Sequence, residues 1–204
     1  MNVPHSRAAQ FRGHGGGRGG CTEACRIYPY WYDLHFGSPY TVSTTTTFLF
    51  DSTAQPAIQS DGRDVFVAWL NGNQTTGGTV KGSRLRTTSN ENIAQELQAG
   101  AVLGTFGPDT GPTRPDIATD GERYVVVWRT TTPAGDHDIV GVSIDRSGTV
   151  SRFSIATSSA DERDPSVLAT AAGTFLVTYE KFIGSERRIA GRFLRLNTRR
   201  RAAN

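Results

Sequence analysis

The sequence predicts an all-β protein built from about three copies of one repeat. Two observations support this fold class. The segments with folded character are rich in Val, Ile, Phe, Tyr, Trp and Thr and are separated by turn residues, whereas long amphipathic helical patterns are missing. A phrase of 15 residues also occurs twice in close match and a third time in blurred form. The 204 residues are enough for one domain of ordinary size, or one domain with a disordered end.

In each copy of the repeat, a proline, a turn and an aromatic residue follow in the same order and at nearly the same spacing. Its first two copies are QPAIQSDGRDVFVAW and RPDIATDGERYVVVW, and the third, DPSVLATAAGTFLVTY, is one residue longer and lacks the Asp-Gly pair. The proline and aromatic positions of the three copies are, in order, Pro56 and Trp69, Pro115 and Trp128, and Pro165 and Tyr179. The similarity continues past the aromatic residue, where Gly82, Gly141 and Gly191 align. Repetition of this kind is typical of solenoids, propellers and arrays.

Each copy predicts a hairpin followed by further strands. Proline opens the first short strand, where a missing N–H is tolerated, and Asp120 and Gly121 make a tight turn because glycine accepts a positive φ. The next strand, from Tyr124 to Trp128, is apolar on both faces and must therefore be covered on both faces. The segments IVGVSID and VSRFSIAT, joined by the turn DRSGT, supply the third and fourth strands.

Four antiparallel strands per repeat, covered by neighbours, predict β-propeller-like blades. The copies resemble blade repeats of large exported proteins of GC-rich bacteria, which share a Pro-x-[Ile/Val]-Ala-x-Asp-Gly…Val-Val-Trp…Asp-Ile-x-Gly pattern. Residues 113–157 match this pattern best, and the similarity extends over about 45–196. The resemblance implies a propeller-like fold and an extracellular or cell-surface location, and it implies little about activity.

The third copy ends after its third strand, and we expect the N-terminal side of the chain to complete it. Residues 45–50 resemble a fourth strand that leads into Pro56, so we expect them to pair beside residues 189–194 and cover that open edge. The count is then about three four-stranded blades, whereas closed propellers have about four to eight. Two explanations stay open: the chain is a fragment of a larger propeller, or two copies form a six-bladed dimer.

The predicted propeller repeats occupy residues 45–198. Residues 1–27 form a Gly- and Arg-rich arm with the composition of a disordered segment, residues 28–44 form an aromatic-rich lead-in, and residues 199–204 form a basic tail. The arm lacks the apolar region of a secretory signal, so the protein is cytoplasmic or its gene starts upstream of Met1. No stretch approaches the roughly 20 apolar residues that span a membrane. A formal charge of +3 gives no case for a nucleic-acid partner.

Two clusters are candidates for contact with a ligand or partner. The first is aromatic and lies outside the repeats: Tyr28, Tyr30, Trp31 and Tyr32. It either covers an open end of the propeller or binds a partner. The second lies on the loop GDHDIVG of the second copy: Asp136, His137 and Asp138. The register of the repeat places Asp138 directly before the third strand, which favours a solvated loop as the interpretation of that second cluster. The recurring aromatic residue of each copy is interpreted as core rather than as a ligand-stacking ring.

The cysteines and the acidic turns give no firm metal or cofactor site. Cys21 and Cys25 form two free thiols, a local disulfide or, with His14 and His35, a metal site whose spacing matches no recognised zinc motif. The Asp-Gly pairs of the first two copies invite a calcium interpretation. Asp-Gly between strands is, however, ordinary turn chemistry, and a calcium ion needs about six oxygen ligands. We expect no cofactor.

We expect a non-catalytic binding or surface-structural module with a protein or carbohydrate ligand. The sequence contains no nucleophile elbow, phosphate-binding loop or metalloprotease motif. The segment SIDRSGTV resembles the Asp-box of sialidase-like propellers, but its glycine is one residue late and Val150 replaces the aromatic residue. The alternative is a fragment of a propeller-fold enzyme, such as a glycosidase, whose catalytic residues lie elsewhere.

Overall fold

The computed structural model describes residues 56–73, 75–87, 93–108 and 114–196, and these residues form an all-β structure, as the sequence predicts. The strands are β1 (Ala57–Ser60), β2 (Asp64–Asn73), β3 (Gly77–Thr87), β4 (Ile93–Phe106), β5 (Asp116–Thr119), β6 (Arg123–Thr131), β7 (His137–Asp145), β8 (Val150–Ala156), β9 (Asp161–Ala171), β10 (Thr174–Ile183) and β11 (Glu186–Arg195). Within the described ranges no helix is long and apolar enough to cross a membrane.

The strands form three antiparallel sheets, one for each copy of the repeat. Sheet 1 has the order β1-β2-β3-β4, sheet 2 has β5-β6-β7-β8, and sheet 3 has β9-β10-β11. Each sheet is a simple meander, because strands that are neighbours in a sheet are also neighbours in the sequence. Sheets 1 and 2 have the four predicted strands, whereas sheet 3 has three among the described residues. The fourth strand predicted for it, residues 45–50, lies outside those residues, as do the arm, the lead-in and the basic tail.

The first hairpins of sheets 1 and 2 are closed by the same Asp-Gly turn. The Oδ1 of Asp120 accepts hydrogen bonds from the two backbone N–H groups that follow the glycine, at 3.0 and 2.9 Å. Oδ1 of Asp61 does the same at 2.9 and 2.8 Å. Gly62 and Gly121 have φ angles of +85° and +87°, which glycine adopts without a Cβ clash. The Oδ1 atom of each carboxylate is therefore engaged within its own turn.

Sheet 2 lies between the other two sheets, and both of its faces are covered. The first core joins sheets 1 and 2, and its buried members are Phe66, Ala68, Leu70, Val80, Leu103, Phe106, Ile117, Tyr124, Val126, Trp128, Val142 and Ile144. The second core joins sheets 2 and 3, and its buried members are Ala118, Val125, Val127, Ile139, Ile155, Ala156, Val167, Phe175, Val177 and Tyr179. Strand β6 supplies both cores, because successive side chains of a strand point to opposite faces.

The recurring aromatic residues Trp69, Trp128 and Tyr179 are all buried, which confirms that they belong to the interior. Trp128 also donates a hydrogen bond from Nε1 to the carbonyl of Thr105 on β4, over 3.0 Å. Gly104 leaves the room for this ring, since a Cβ at that position would lie 2.4 Å from Cζ2 of Trp128. The outer strand of sheet 1 thus leaves space for the recurring aromatic residue of sheet 2 and accepts its hydrogen bond.

Sheet 3 differs from the prediction at its first strand. The sequence places Pro165 at the start of that strand, but β9 begins at Asp161 and continues through the proline. The pairing with β10 shifts in register near this point, and Asp164 has a φ of 48°. A proline fits at such a bulge because the ladder is locally disrupted there. The residues from Asp161 to Arg163 are consequently held on a strand.

A buried polar network joins sheets 1 and 2 at the end that carries the Asp-Gly turns. Arg84 on β3 donates to Oδ2 of Asp64 over 2.7 Å and to the carbonyl of Arg146 in sheet 2 over 2.8 Å. The hydroxyl of Tyr124 donates to the carbonyl of Asp64 over 2.9 Å. Burial raises the pKa of Tyr124 to about 12, so this phenol remains a hydrogen-bond donor at neutral pH. A hydrogen bond from Arg86 is the main cause that lowers the pKa of the Asp64 carboxyl.

Sheets 2 and 3 are joined along their first strands. The Oδ2 of Asp116 accepts hydrogen bonds from the hydroxyl of Ser166 and the backbone N–H of Val167, at 2.9 and 2.7 Å. Asp120 reaches the turn of the third repeat, where the N–H of Gly173 donates to its Oδ2 over 2.8 Å. The apolar contacts between the sheets are therefore fixed in register by hydrogen bonds.

Candidate functional site

Polar side chains that the repeat does not require collect where β6 turns into β7 and where the chain enters β9. We call this group the polar edge, and its members are Asp136, His137, Asp138, Ser158, Asp161, Glu162, Arg163 and Lys181. The β6–β7 turn is fixed by Thr132, whose N–H donates to the carbonyl of Asp136 over 2.8 Å and whose hydroxyl bonds to the Asp136 carboxylate. This turn sets the start of β7 beside the start of β9.

His137 and Asp161 form the contact that joins sheets 2 and 3 at this edge. Nδ1 of the buried histidine lies 2.6 Å from Oδ1 of Asp161, and Nε of Arg163 donates to Oδ2 over 2.8 Å. Burial raises the pKa of Asp161, but the hydrogen bonds from Arg163 and His137 more than offset it, so the pKa lies below its ordinary value. Asp161 is therefore a carboxylate that orients the imidazole.

Glu162 is fully buried and is balanced by a lysine on the neighbouring strand. Its Oε1 accepts a hydrogen bond from the hydroxyl of Ser158 and lies 3.5 Å from Nζ of Lys181. Lys181 also donates to Oγ of Ser158 over 2.9 Å. The other carboxylate oxygen, Oε2, has no hydrogen-bond partner in the described part of the chain. A buried carboxylate needs a compensating charge, and Lys181 supplies it here.

Asp138 is the member of the polar edge whose charge is least compensated. It is half-buried, and among the described residues none hydrogen-bonds to its carboxylate. Burial raises its pKa, and the negative charges of Glu162 and Asp136 raise it further. The carboxyl group is therefore held where its charged form is disfavoured, as at many binding and catalytic sites.

The polar edge offers groups for binding but no assembled nucleophile. The Ser158 hydroxyl bonds to Glu162, accepts from Lys181 and also accepts from the N–H of Ala160 over 3.2 Å, so it acts within its turn. His137 is oriented by Asp161 and is buried. In the ranges that the structure describes, no group of three or more His, Cys, Asp or Glu is placed to hold a metal ion. The edge can accept hydrogen bonds at Asp136 and Asp138.

The structure brings together one of the two predicted clusters. Asp136, His137 and Asp138 do lie together, but β7 begins at His137, so that only Asp136 belongs to the turn. The interpretation as a solvated loop does not fit His137, which is buried against Asp161. The aromatic cluster of Tyr28, Tyr30, Trp31 and Tyr32 lies outside the described residues, as do both cysteines.

Five members of the edge were not predicted from the sequence: Ser158, Asp161, Glu162, Arg163 and Lys181. A signal was present, because the segment DERD places four charged residues directly before Pro165. Charged residues before a repeat usually indicate a solvated connection. Here they become strand residues, since β9 pairs with the full length of β10 and Glu162 lies opposite Lys181.

Apart from the polar edge, a concavity lies between the outer strands of sheets 1 and 2. It has a volume of about 480 Å³ and is lined by residues that include Val102, Trp128, Thr130, Arg152 and Phe153. Arg152 crosses from sheet 2 to donate to the carbonyls of Leu103 and Val102, at 2.9 and 3.2 Å. Its guanidinium is thus occupied in joining the sheets. The groove carries no cluster of ionisable groups comparable with the polar edge.

Comparisons with known proteins give no family for this chain. No family model and no curated protein matches it. Among solved structures, it is similar to a thermostable family-43 glycoside hydrolase, at 10% sequence identity and a TM-score of 0.44, over 73% of this chain and 51% of that one. The chain thus spans about half the length of that glycoside hydrolase.

Proposed function

We propose that the chain is a propeller-type repeat module that binds a ligand at the polar edge without transforming it. The packing of sheet 2 between two sheets of the same repeat supports the propeller-type arrangement, because propeller blades pack face to face in this way. The ion pairs of the edge support the non-catalytic role. His137, Glu162 and Lys181 are each engaged within the fold rather than arranged around a nucleophile.

Asp138 is the observation that carries this proposal. A half-buried carboxylate near two like charges, with no hydrogen-bond donor among the described residues, lowers the stability of the fold. A ligand that donates a hydrogen bond to this carboxylate would explain why the residue is present despite its cost in stability. The hydroxyl groups of a carbohydrate or the N–H groups of a partner protein provide that chemistry, and the adjacent Asp136 gives a second acceptor.

The proposal is tested by binding to a glycan array and to soluble oligosaccharides. Asp138→Asn should weaken the binding of the wild-type ligand at least about tenfold, as expected when a charged hydrogen bond of about 1.5 kcal/mol or more is lost. Glu122→Gln is the matched control, because Glu122 is exposed at the Asp-Gly turn, away from the polar edge. Equal binding by the wild type and Asp138→Asn would contradict the assignment of the site. Absence of binding to every glycan would remove the carbohydrate alternative.

A hydrolase of the glycosidase type is the second candidate function, and the raised pKa of Asp138 is the observation that favours it. A glycosidase uses a carboxyl group with a raised pKa as its acid, together with a second carboxylate. Turnover of chromogenic glycosides distinguishes the two proposals. The binding module should give no turnover above buffer, whereas hydrolysis that disappears in Asp138→Asn would establish the enzyme.

A further inference from the structure

The two interfaces within the chain are built from the same positions of the repeat. In each sheet we call the face toward the following sheet the forward face and the opposite one the backward face. Sheet 1 packs Phe66 and Ala68 forward, and sheet 2 packs the equivalent Val125 and Val127 forward. The residues of sheet 1 pack against the backward face of sheet 2, and those of sheet 2 pack against the backward face of sheet 3. The chain therefore repeats one kind of interface, in which a forward face meets a backward face.

The forward face of sheet 3 has no sheet upon it among the described residues. Ile189 occupies the repeat position of Ile139, yet 73% of its surface is exposed whereas Ile139 is fully buried. Leu168 and Phe193 are exposed on the same sheet to a similar extent. The charged Glu180 on this face is paired with Arg187, and Leu168, Ile189 and Phe193 give the surface its apolar character. An apolar surface of this kind marks an interaction site.

The backward face of sheet 1 is exposed at its first strand, β1, and is the complementary surface. Ile58 occupies the repeat position of Ile117, but it is 66% exposed, whereas Ile117 is 5% exposed. Trp69 and its equivalent Trp128 differ in the hydrogen bonding of their indole N–H groups. Nε1 of the equivalent Trp128 donates to the outer strand of the preceding sheet, whereas Nε1 of Trp69 is buried and has no partner among the described residues. In the described part of the chain, no strand accepts the indole N–H of Trp69 as β4 accepts that of Trp128, although the Trp69 ring itself is only 7% exposed.

We propose that the forward face of sheet 3 binds the backward face of sheet 1 in a second copy of this chain. The interface continues the one that the chain already forms twice, with the same positions on each side. Two copies related by a two-fold axis then make this contact twice and close a ring of six sheets, in which no apolar face is left open. Six falls within the usual range of about four to eight blades, whereas three sheets alone do not.

The test uses one charged substitution on each face of the full chain. Ile189→Asp disables the forward face and Ile58→Asp disables the backward face, and both positions are exposed in the single chain, so folding should be retained and is checked by circular dichroism. Ile183→Asp is the control, since it is an exposed apolar residue beside the β10–β11 turn. Light scattering after gel filtration should give twice the 22.1 kDa chain mass for the wild type and the control. Each face variant alone should give the mass of one chain.

Mixing the two face variants distinguishes this ring from other dimers. In a mixed pair, one interface combines both substitutions and the other combines two unaltered faces, so an equimolar mixture should restore dimers that neither variant forms alone. A wild-type monomer at all concentrations, or a dimer that survives Ile58→Asp, would overturn the proposal. Open-ended oligomers or aggregates of the wild type would also overturn it, because they would mean that further sheets of a longer chain normally cover these faces.

Discussion

Trp128 of sheet 2 donates its indole N–H to the carbonyl of Thr105 in sheet 1, and the ring lies over Gly104 of the same strand. One residue thus supplies apolar area and a directional hydrogen bond across the boundary between two repeats. The contact explains why sheet 2 carries an aromatic residue with a polar group at this position of β6. Buried tryptophan and tyrosine side chains usually find such a partner.

Removal of this ring should destabilise the protein strongly. We expect Trp128→Ala to lower the free energy of unfolding by about 3–5 kcal/mol, because a large buried aromatic side chain leaves a cavity. Trp128→Phe keeps most of the apolar contact but loses the hydrogen bond to Thr105, so its cost should be smaller. Urea unfolding of the two variants checks both values. A loss under about 1 kcal/mol for Trp128→Ala would mean that the ring is not part of the core.

The aligned glycines of the repeat give a second prediction. A Cβ at Gly141 would lie 2.8 Å from the carbonyl oxygen of Val126, whereas a Cβ at Gly191 would meet its nearest atom, the carbonyl oxygen of Val177, at an ordinary 3.5 Å. Gly141→Ala should therefore cost about 1–3 kcal/mol by overpacking. Gly191→Ala should be neutral or slightly stabilising, since alanine reduces the freedom of the unfolded chain. Thermal unfolding in dilute solution compares them, and equal effects would contradict the difference in free space at the two aligned positions.

The buried pair of Asp64 and Arg84 predicts a dependence of stability on pH. Asp64→Asn should cost about 3 kcal/mol at pH 7, because the buried guanidinium of Arg84 loses its nearest counter-charge and, among the described residues, keeps only Asp61, at 4.0 Å. The pKa of Asp64 is lowered in the folded state, so its stabilisation is present above the ordinary value of about 3.9 and is lost as the pH falls through the folded value. The difference between the wild type and Asp64→Asn should accordingly shrink below about pH 4.

Arg86→Ala is the control for this pair. Arg86 also contacts Asp64, but its side chain is 45% exposed, so its removal should cost about 1 kcal/mol or less. Chemical unfolding at several pH values measures all three proteins. A constant difference between the wild type and Asp64→Asn from pH 7 to pH 3 would show that Asp64 is not ionised within the pair.

Asp138 should affect stability in the opposite direction. Its folded pKa is raised by burial and by Glu162 and Asp136, so the stability that it contributes in its protonated form is lost as the pH rises through that value. At pH 7 we expect Asp138→Asn to unfold at a higher temperature than the wild type. The gain should vanish near pH 3, where both side chains are neutral. A loss of stability at pH 7 would mean that the carboxylate has a partner within the fold.

The hairpins of the repeat could be predicted from the sequence because their chemistry is local. Gly121 follows Asp120, and the carboxylate accepts its hydrogen bonds from the next two backbone N–H groups. The burial of β6 was equally predictable, since its valines leave no polar face. Each of these features depends on residues that are close in sequence, so no knowledge of the tertiary arrangement is required.

The polar edge could be predicted only in part, because it depends on how the sheets pack. His137 and Asp161 are 24 positions apart and meet only when sheet 3 packs on sheet 2. The bulge at Pro165 was not predicted either, and with it β9 begins at Asp161, before the proline at which the sequence starts this strand. Proline is usually read as a strand boundary, but the length of β10 allows pairing to continue beyond it.

Phe66 of sheet 1 and Tyr124 of sheet 2 allow the most direct test of the account, which holds that successive repeats pack face to face. Their ring centroids lie 5.2 Å apart across the boundary between the sheets. A double-mutant cycle with Phe66→Leu and Tyr124→Leu measures their coupling by urea unfolding. Packing of the repeats against each other predicts a coupling energy of about 0.5–1.5 kcal/mol between the two rings. Additive effects of the two substitutions, with no coupling, would contradict that packing.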